Sequence, residues 1–465
     1  LEFRKFADAF LSYSGGKATV KIFLGGTKMR KIFAILATVA MSFSVFSGCS
    51  GNNAQSGTPS GASGGGAALS AATINYYGGW TGADLDKMNA LVKKFNAGQS
   101  AVQVKFTSLQ WSQMFTKFLA DYQAGATPDV VAMHTFEVGQ FVDMGVLDSD
   151  AIKNLNLDAD NYIKTAWDGT MMNNVQYGVP LDVNMHALYY NKDLFKKAGI
   201  SNPPVNKAEL IADAQKLTLD ANGKNASESG FDSSNIKQYG YGFLQNHHGF
   251  YQIFALMNQQ GYNPFTDSMT SVSLDSKKTS DAFQFLEDLI YKYKVTPAGE
   301  KSPIDDFKAG TVAMVVDGNW QLSGLSSVKF AWDTAAYPRI FDQKAVWGAS
   351  EMLTIPKNKD ANKVKAAQTF IKWLSDNSAQ WALSGQIPAN LKALKLSTKM
   401  QGMDAYTSEL DYVKFLPANK KSVKVFSSSA PSPILTAAQN AMLNHKNPAE
   451  ITKQLENDIN KILAG

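Results

Sequence analysis

Four of the five histidines, His134, His186, His247 and His248, fall in segments that end strands or open helices. Imidazole binds transition metals and hydrogen-bonds readily to polar ligands. A zinc site also needs suitable ligand spacing. His247 and His248 are adjacent, no His-x-x-x-His occurs, and Cys49 is the only cysteine. The pattern therefore calls for no metal and no cofactor, and it leaves the imidazoles as hydrogen-bonding groups. Glycoside hydrolysis would need two carboxylates about 5–10 Å apart. Glu137 and Asp182 could be posed that way, but no local motif marks them. A Walker-A phosphate loop is absent from the sequence, so ATP chemistry is not expected. Trp80, directly after Gly78-Gly79 and before Thr81, is a large aromatic on a loop. Such a ring either packs inward or stacks on a ligand.

These groups need a scaffold to bring them together. Apolar spacing predicts strands over 72–77, 102–107 and 130–133, and helices over 83–96 and 111–124. In the first helix Leu85, Met88, Leu91, Val92 and Phe95 recur at helical spacing. Strands separated by helices imply an α/β fold with a mainly parallel sheet, helices on both faces, and ligands at the carboxyl ends of the strands. The loops Gly78–Thr81 and His134–Glu137 would then face one cleft, and Gln113 opens the helix between them. Farther on, Asn206 and Glu209 form a capping box, and 220–235 is polar and loop-like. Helices are expected over 249–260, 276–293 and 359–375. Asn447 caps a last helix with Pro448 at its first position, and Ile451, Leu455, Ile459 and Ile462 form its apolar stripe.

The N-terminal region is expected to be processed. Residues 1–28 carry Gly25-Gly26 just before Met29 and suit a translated leader rather than a domain. Met29-Arg30-Lys31 and the apolar run 32–46 form a signal peptide over 29–48, too short to span a bilayer comfortably. Ser47-Gly48-Cys49 resembles a lipobox, which makes Cys49 the expected lipid-attachment site. Residues 49–70 form a Ser/Gly-rich flexible tether, reaching ~25 Å on average. Of 45 basic and 40 acidic residues, seven and two lie within 1–48, so the remainder balances at 38 of each sign. That balance gives no reason to expect nucleic acid as a partner.

The segment 176–200 reads QYGVPLDVNMHALYYNKDLFKKAGI and is followed by Asn202-Pro203-Pro204. Together with IDDFKAGTVAMVVDGNW at 304–320, VWGASEMLTI at 346–355 and IPAN at 387–390, it resembles the carbohydrate-binding extracellular solute-binding proteins of ABC importers, the maltose-binding-protein-like family. The resemblance covers essentially all of the chain from Ala71 on. It implies a two-lobe periplasmic-binding-protein-like (type II) fold with hinge crossovers and a cleft between the lobes. Lobe one would comprise 71–184 plus 352–415, and lobe two 187–348 plus 425–465. A carbohydrate would bind in the cleft of a monomer and pass to the permease transmembrane subunits, with no catalysis. The protein would sit at the extracellular face of the membrane, held by its lipid, or in the periplasm of a two-membrane cell.

A sugar needs aromatic platforms for its C–H faces and partners for its hydroxyls, each of which costs roughly 1–3 kcal/mol if buried unpaired. The resemblance assigns stacking to Trp320 in its Asp-Gly-x-Trp turn and ligand contacts to His247 and His248 in QNHHGFY. Asn184 takes a position where relatives place a carboxylate. Trp347 lies at the second crossing, and Asp182 shares a strand face with Asn184. With Trp80, Thr81, Gln113, His134, Glu137 and His186, these complete the candidate set. Trp111, Trp167, Trp373 and Trp381 are expected in the core. The alternatives are a secreted carbohydrate-active enzyme or a metal-binding protein on the same scaffold.

Overall fold

The computed structural model describes residues 12–14, 17–19, 70–428 and 431–465. The signal peptide, Cys49 and the tether up to residue 69 lie outside the described residues. Within 1–28, Ser12–Ser14 and Lys17–Thr19 pair as a short antiparallel hairpin, which belongs to a unit of its own. The second unit, Gly66–Gly465, carries everything that follows.

Two sheets organise this unit. The first has five strands in the order Val102–Ser108, Ala72–Gly78, Val130–His134, Glu351–Thr354, Val179–Pro180. Its first three strands are parallel, joined by the helices Ala83–Gly98 and Trp111–Gln123. Met88, Leu91, Val92 and Phe95 bury the inner stripe of the first of these helices, as their spacing requires.

The second sheet is built on one long strand, Asp182–Asn191, in which every residue but Tyr190 is buried. It pairs antiparallel with Met314–Gly318, Trp332–Ala335, Val346–Ala349 and Ile387–Pro388. Its first half alternates, with Asp182, Asn184 and His186 on one face and Val183, Met185 and Ala187 on the other, and its second half, Ala187–Tyr190, is a continuous run. Gly242–Phe243 and Val413–Lys414 complete seven strands. Val413–Lys414 falls within the segment expected in lobe one, yet it joins this second sheet.

The expected parallel arrangement holds for the first three strands of the first sheet and for the edge pairs of Gly242–Phe243 with Met314–Gly318 and Val346–Ala349 with Val413–Lys414. Every strand paired with Asp182–Asn191 runs antiparallel to it. Residues 179–180 belong to the first sheet and 182–191 to the second, so the chain changes sheets at Leu181. It returns at Ser350, between Val346–Ala349 and Glu351–Thr354. Strands that arrive from the other sheet need no helical crossover and insert antiparallel.

Two local details differ from expectation, and the expected polar loop gains a buried anchor. The helix expected from 249 begins at His247, because the Asn246 side chain accepts the His248 N–H as its cap. The polar stretch 220–235 is closed by the buried Asp220, whose carboxylate accepts the N–H groups of Asn222, Lys224 and Asp232. The last helix, Pro448–Ala464, buries Leu463 more fully than Ile462. Among the described residues no helix is long and apolar enough to cross a membrane.

Candidate functional site

Both sheets open onto one cavity of about 750 Å³. From the first sheet come the loop Gly79–Asp84, the head of the Trp111–Gln123 helix, and the turn after Val130–His134 with Phe136, Glu137 and Gln140. From the second come His247, His248 and Tyr251 of the His247–Gln259 helix, and Trp320 and Gln321 after Met314–Gly318. The crossing strands supply Asn184, Trp347, Ala349 and Glu351. The carboxyl-end rule for α/β sheets thus locates the cavity correctly for the parallel strands.

Two aromatic groups wall the space. On one side Trp80 and Trp111 meet edge-on at 5.6 Å, and Trp111 lies 4.2 Å from the His134 ring. On the other, Tyr251 stacks on Trp347 at 4.3 Å and 15°, while Trp320 leans on His248 at 5.4 Å. Two glycines make this packing possible. A Cβ on Gly79 would lie 1.9 Å from the Trp111 ring, and one on Gly318 would lie 2.0 Å from the Trp320 ring. Glycine is required in the Asp-Gly-x-Trp turn because the indole folds back over its own backbone.

The sequence candidates separate by burial. Trp80, Thr81, His134, Glu137, Asn184, His247, His248, Trp320 and Trp347 line the cavity. Gln113 does not, because it projects from the exposed side of its helix. Asp182 does not either: it is fully buried, and its oxygens accept the Glu351 N–H at 3.0 Å and the Trp381 indole N–H at 2.6 Å. His186 lies beneath the wall, with Nε2 3.0 Å from His248 Nδ1 and its ring 4.7 Å from Trp347. Trp80 is only 1% exposed, its faces taken by Tyr76, Trp111 and Trp381. Trp111, expected in the core, is the more accessible indole on that side. Sequence reasoning also missed Tyr251, Gln140, Lys308, Gln321 and Glu351. Tyr251 could have been found as one helical turn on from His247 and His248.

Burial sets the electrostatics. It pushes His186 down to about 3 and His247 to about 4, and His248 falls well below the usual range, with the neighbouring imidazoles adding to each shift. All three are neutral at neutral pH and offer one donor and one acceptor each. The Glu137 carboxylate receives His134 Nδ1 at 2.7 Å. Burial, then the Asp182 charge, raises the Glu351 carboxyl well above its ordinary value. Burial raises Asp182 as well, but its two N–H donors oppose that rise, so the proton of this pair resides on Glu351. The indole N–H groups of Trp80 and Trp347 and Glu351 Oε2 are buried without a hydrogen-bond partner. Among the described residues, no three His, Cys, Asp or Glu side chains are grouped to hold a metal.

A family model for bacterial extracellular solute-binding proteins matches residues 90–406. The chain belongs to that family. A Brucella abortus protein is 32% identical over 146 residues, 31% of this chain but only 34% of that relative, so the match spans about a third of its length. The maltodextrin-binding protein MdxE of Bacillus subtilis is 24% identical over 317 residues, 64% of this chain and 69% of its own. Among solved structures, the ABC substrate-binding protein Lmo0181 from Listeria monocytogenes, in complex with cycloalternan, superposes with a TM-score of 0.70 at 23% identity. That superposition covers 84% of this chain and 98% of the Listeria chain. At that identity the likeness establishes the two-lobe fold.

Proposed function

We propose that this chain is the substrate-binding component of an ABC importer and takes an uncharged saccharide into the cavity between its lobes. The observation that carries the reading is the cavity wall itself: Trp111, Trp320, Trp347 and Tyr251 face a space that also holds neutral imidazoles and unpartnered buried N–H groups. Aromatic rings suit the C–H faces of a pyranose, and the polar groups suit its hydroxyls. The saccharides named for MdxE and for the Lmo0181 complex support the same class. Asp182 is fully buried away from the cavity and cannot face Glu137 across it as a hydrolytic pair requires, which supports binding over turnover. Lobe boundaries at 71–184 plus 352–415 and 187–348 plus 425–465, a lipid on Cys49, a monomeric state and delivery to permease subunits complete the proposal.

The test is a thermal-shift screen of mono- and oligosaccharides, maltotriose included. A ligand at a hundredfold its Kd adds about 2.7 kcal/mol of stability. Trp320→Ala should abolish the shift while leaving the unliganded transition in place. If no saccharide shifts the wild-type transition, the reading fails.

A further inference from the structure

Resting on the saccharide reading, we propose that Glu351 is a specificity-determining ligand contact: with Trp80 it receives the sugar hydroxyl that reaches the cavity floor. Glu351 is 4% exposed, yet it lines the cavity. Its backbone is held from three sides. The N–H donates to Asp182 Oδ1, the carbonyl accepts the Leu181 N–H at 2.8 Å, and its Cα stands opposite His134 in the sheet. The side chain is held on one side alone, by a side-chain hydrogen bond with Asp182, and its Oε2 makes none. The Trp80 indole N–H approaches Glu351 as a hydrogen-bond donor and acts to lower its pKa, yet the approach does not close into a well-formed hydrogen bond, which leaves both the N–H and Oε2 short of a partner. Buried polar groups are nearly always satisfied, so an adjacent unmatched donor and acceptor at a cavity floor require a reason. A hydroxyl supplies it, because one O–H can accept from the indole and donate to the carboxyl.

The backing explains why a carboxyl can be kept there. Asp182, itself anchored by Trp381, stands behind Glu351 on the first crossing strand. Asp84 at the head of the Ala83–Gly98 helix, Tyr76 on the first strand and His134 on the neighbouring strand are the other titratable groups around the pair. Glu351 begins the strand by which the chain re-enters the first sheet, so a ligand held here touches the hinge directly.

Glu351→Leu removes a buried acid and should leave the unliganded melting temperature unchanged or raise it. Affinity for maltotriose, measured by calorimetry at neutral pH, should fall about tenfold or more. A residue serving only the fold would show the opposite: lower stability and unchanged affinity. That outcome overturns the proposal. If E351L does not fold, Glu351→Gln decides. The wild-type Kd should vary with pH as the Asp182–Glu351 pair exchanges its proton, and E351Q should be flat. A Gln variant with the wild-type profile overturns the proposal. Wild-type protein that binds no sugar in the screen overturns the saccharide reading and, with it, the premise of this one.

Discussion

Asp317 shows how a single residue ties the site to the fold. It opens the turn that carries Trp320, is fully buried, and accepts the Gly318 N–H at 2.7 Å and the Gln321 Nε2 at 3.3 Å. Burial raises its pKa to about 7. Below the ordinary carboxyl range, folded and unfolded chains are both protonated at this position. Between there and pH 7 only the unfolded chain ionises, so stability falls as pH rises, by about 1.4 kcal/mol per unit at most. Asp317→Asn keeps the Oδ1 acceptor and removes the charge. Urea denaturation should show the variant more stable than wild type at pH 8, by on the order of 2–4 kcal/mol, and the difference should vanish near pH 4. Trp320 and the two adjacent histidines were legible because they occupy recognisable motifs. Glu351 was not, because nothing in VWGASEMLTI separates a cavity-facing acid from a solvated one. The exchange of expected places between Trp80 and Trp111 depends on ring packing, which spacing along the chain does not encode.

At the scale of elements, the crossing strand is the critical part, and Asn319 fixes it. This fully buried amide accepts the Met185 N–H at 2.9 Å and donates to the carbonyls of Val183 and Gly385 and to Gln386 Oε1. It therefore binds the first crossing, the Gly385–Gln386 segment and the Trp320 turn into one knot. Asn319→Ala should cost about 3 kcal/mol or more in denaturant unfolding, because it leaves several buried groups unpaired. Ligand affinity should fall with it, as Trp320 loses its base. The helices and parallel strands of the first sheet were readable from apolar periodicity to within about two residues. The antiparallel insertions were not, because strand direction follows from which sheet the chain re-enters, and periodicity carries no information about that.

For the whole molecule, the charge balance after residue 48 and the neutral imidazoles predict a ligand interaction with little electrostatic character. Affinity for maltotriose should stay constant between about 50 and 500 mM salt, where the Debye length shrinks roughly threefold. A steep loss would contradict this and would point to charged side chains of the cavity taking part in binding. A cavity of about 750 Å³ lies within the usual range for small-molecule sites and has room for more than a single sugar ring. The most direct measurement is a crystal structure of the chain with the best saccharide from the thermal screen. The account predicts a sugar ring in van der Waals contact with Trp320, ~3.5–4.0 Å away, and side chains of both lobes on its hydroxyls. A saccharide bound elsewhere, or held by one lobe without Trp320, would contradict it.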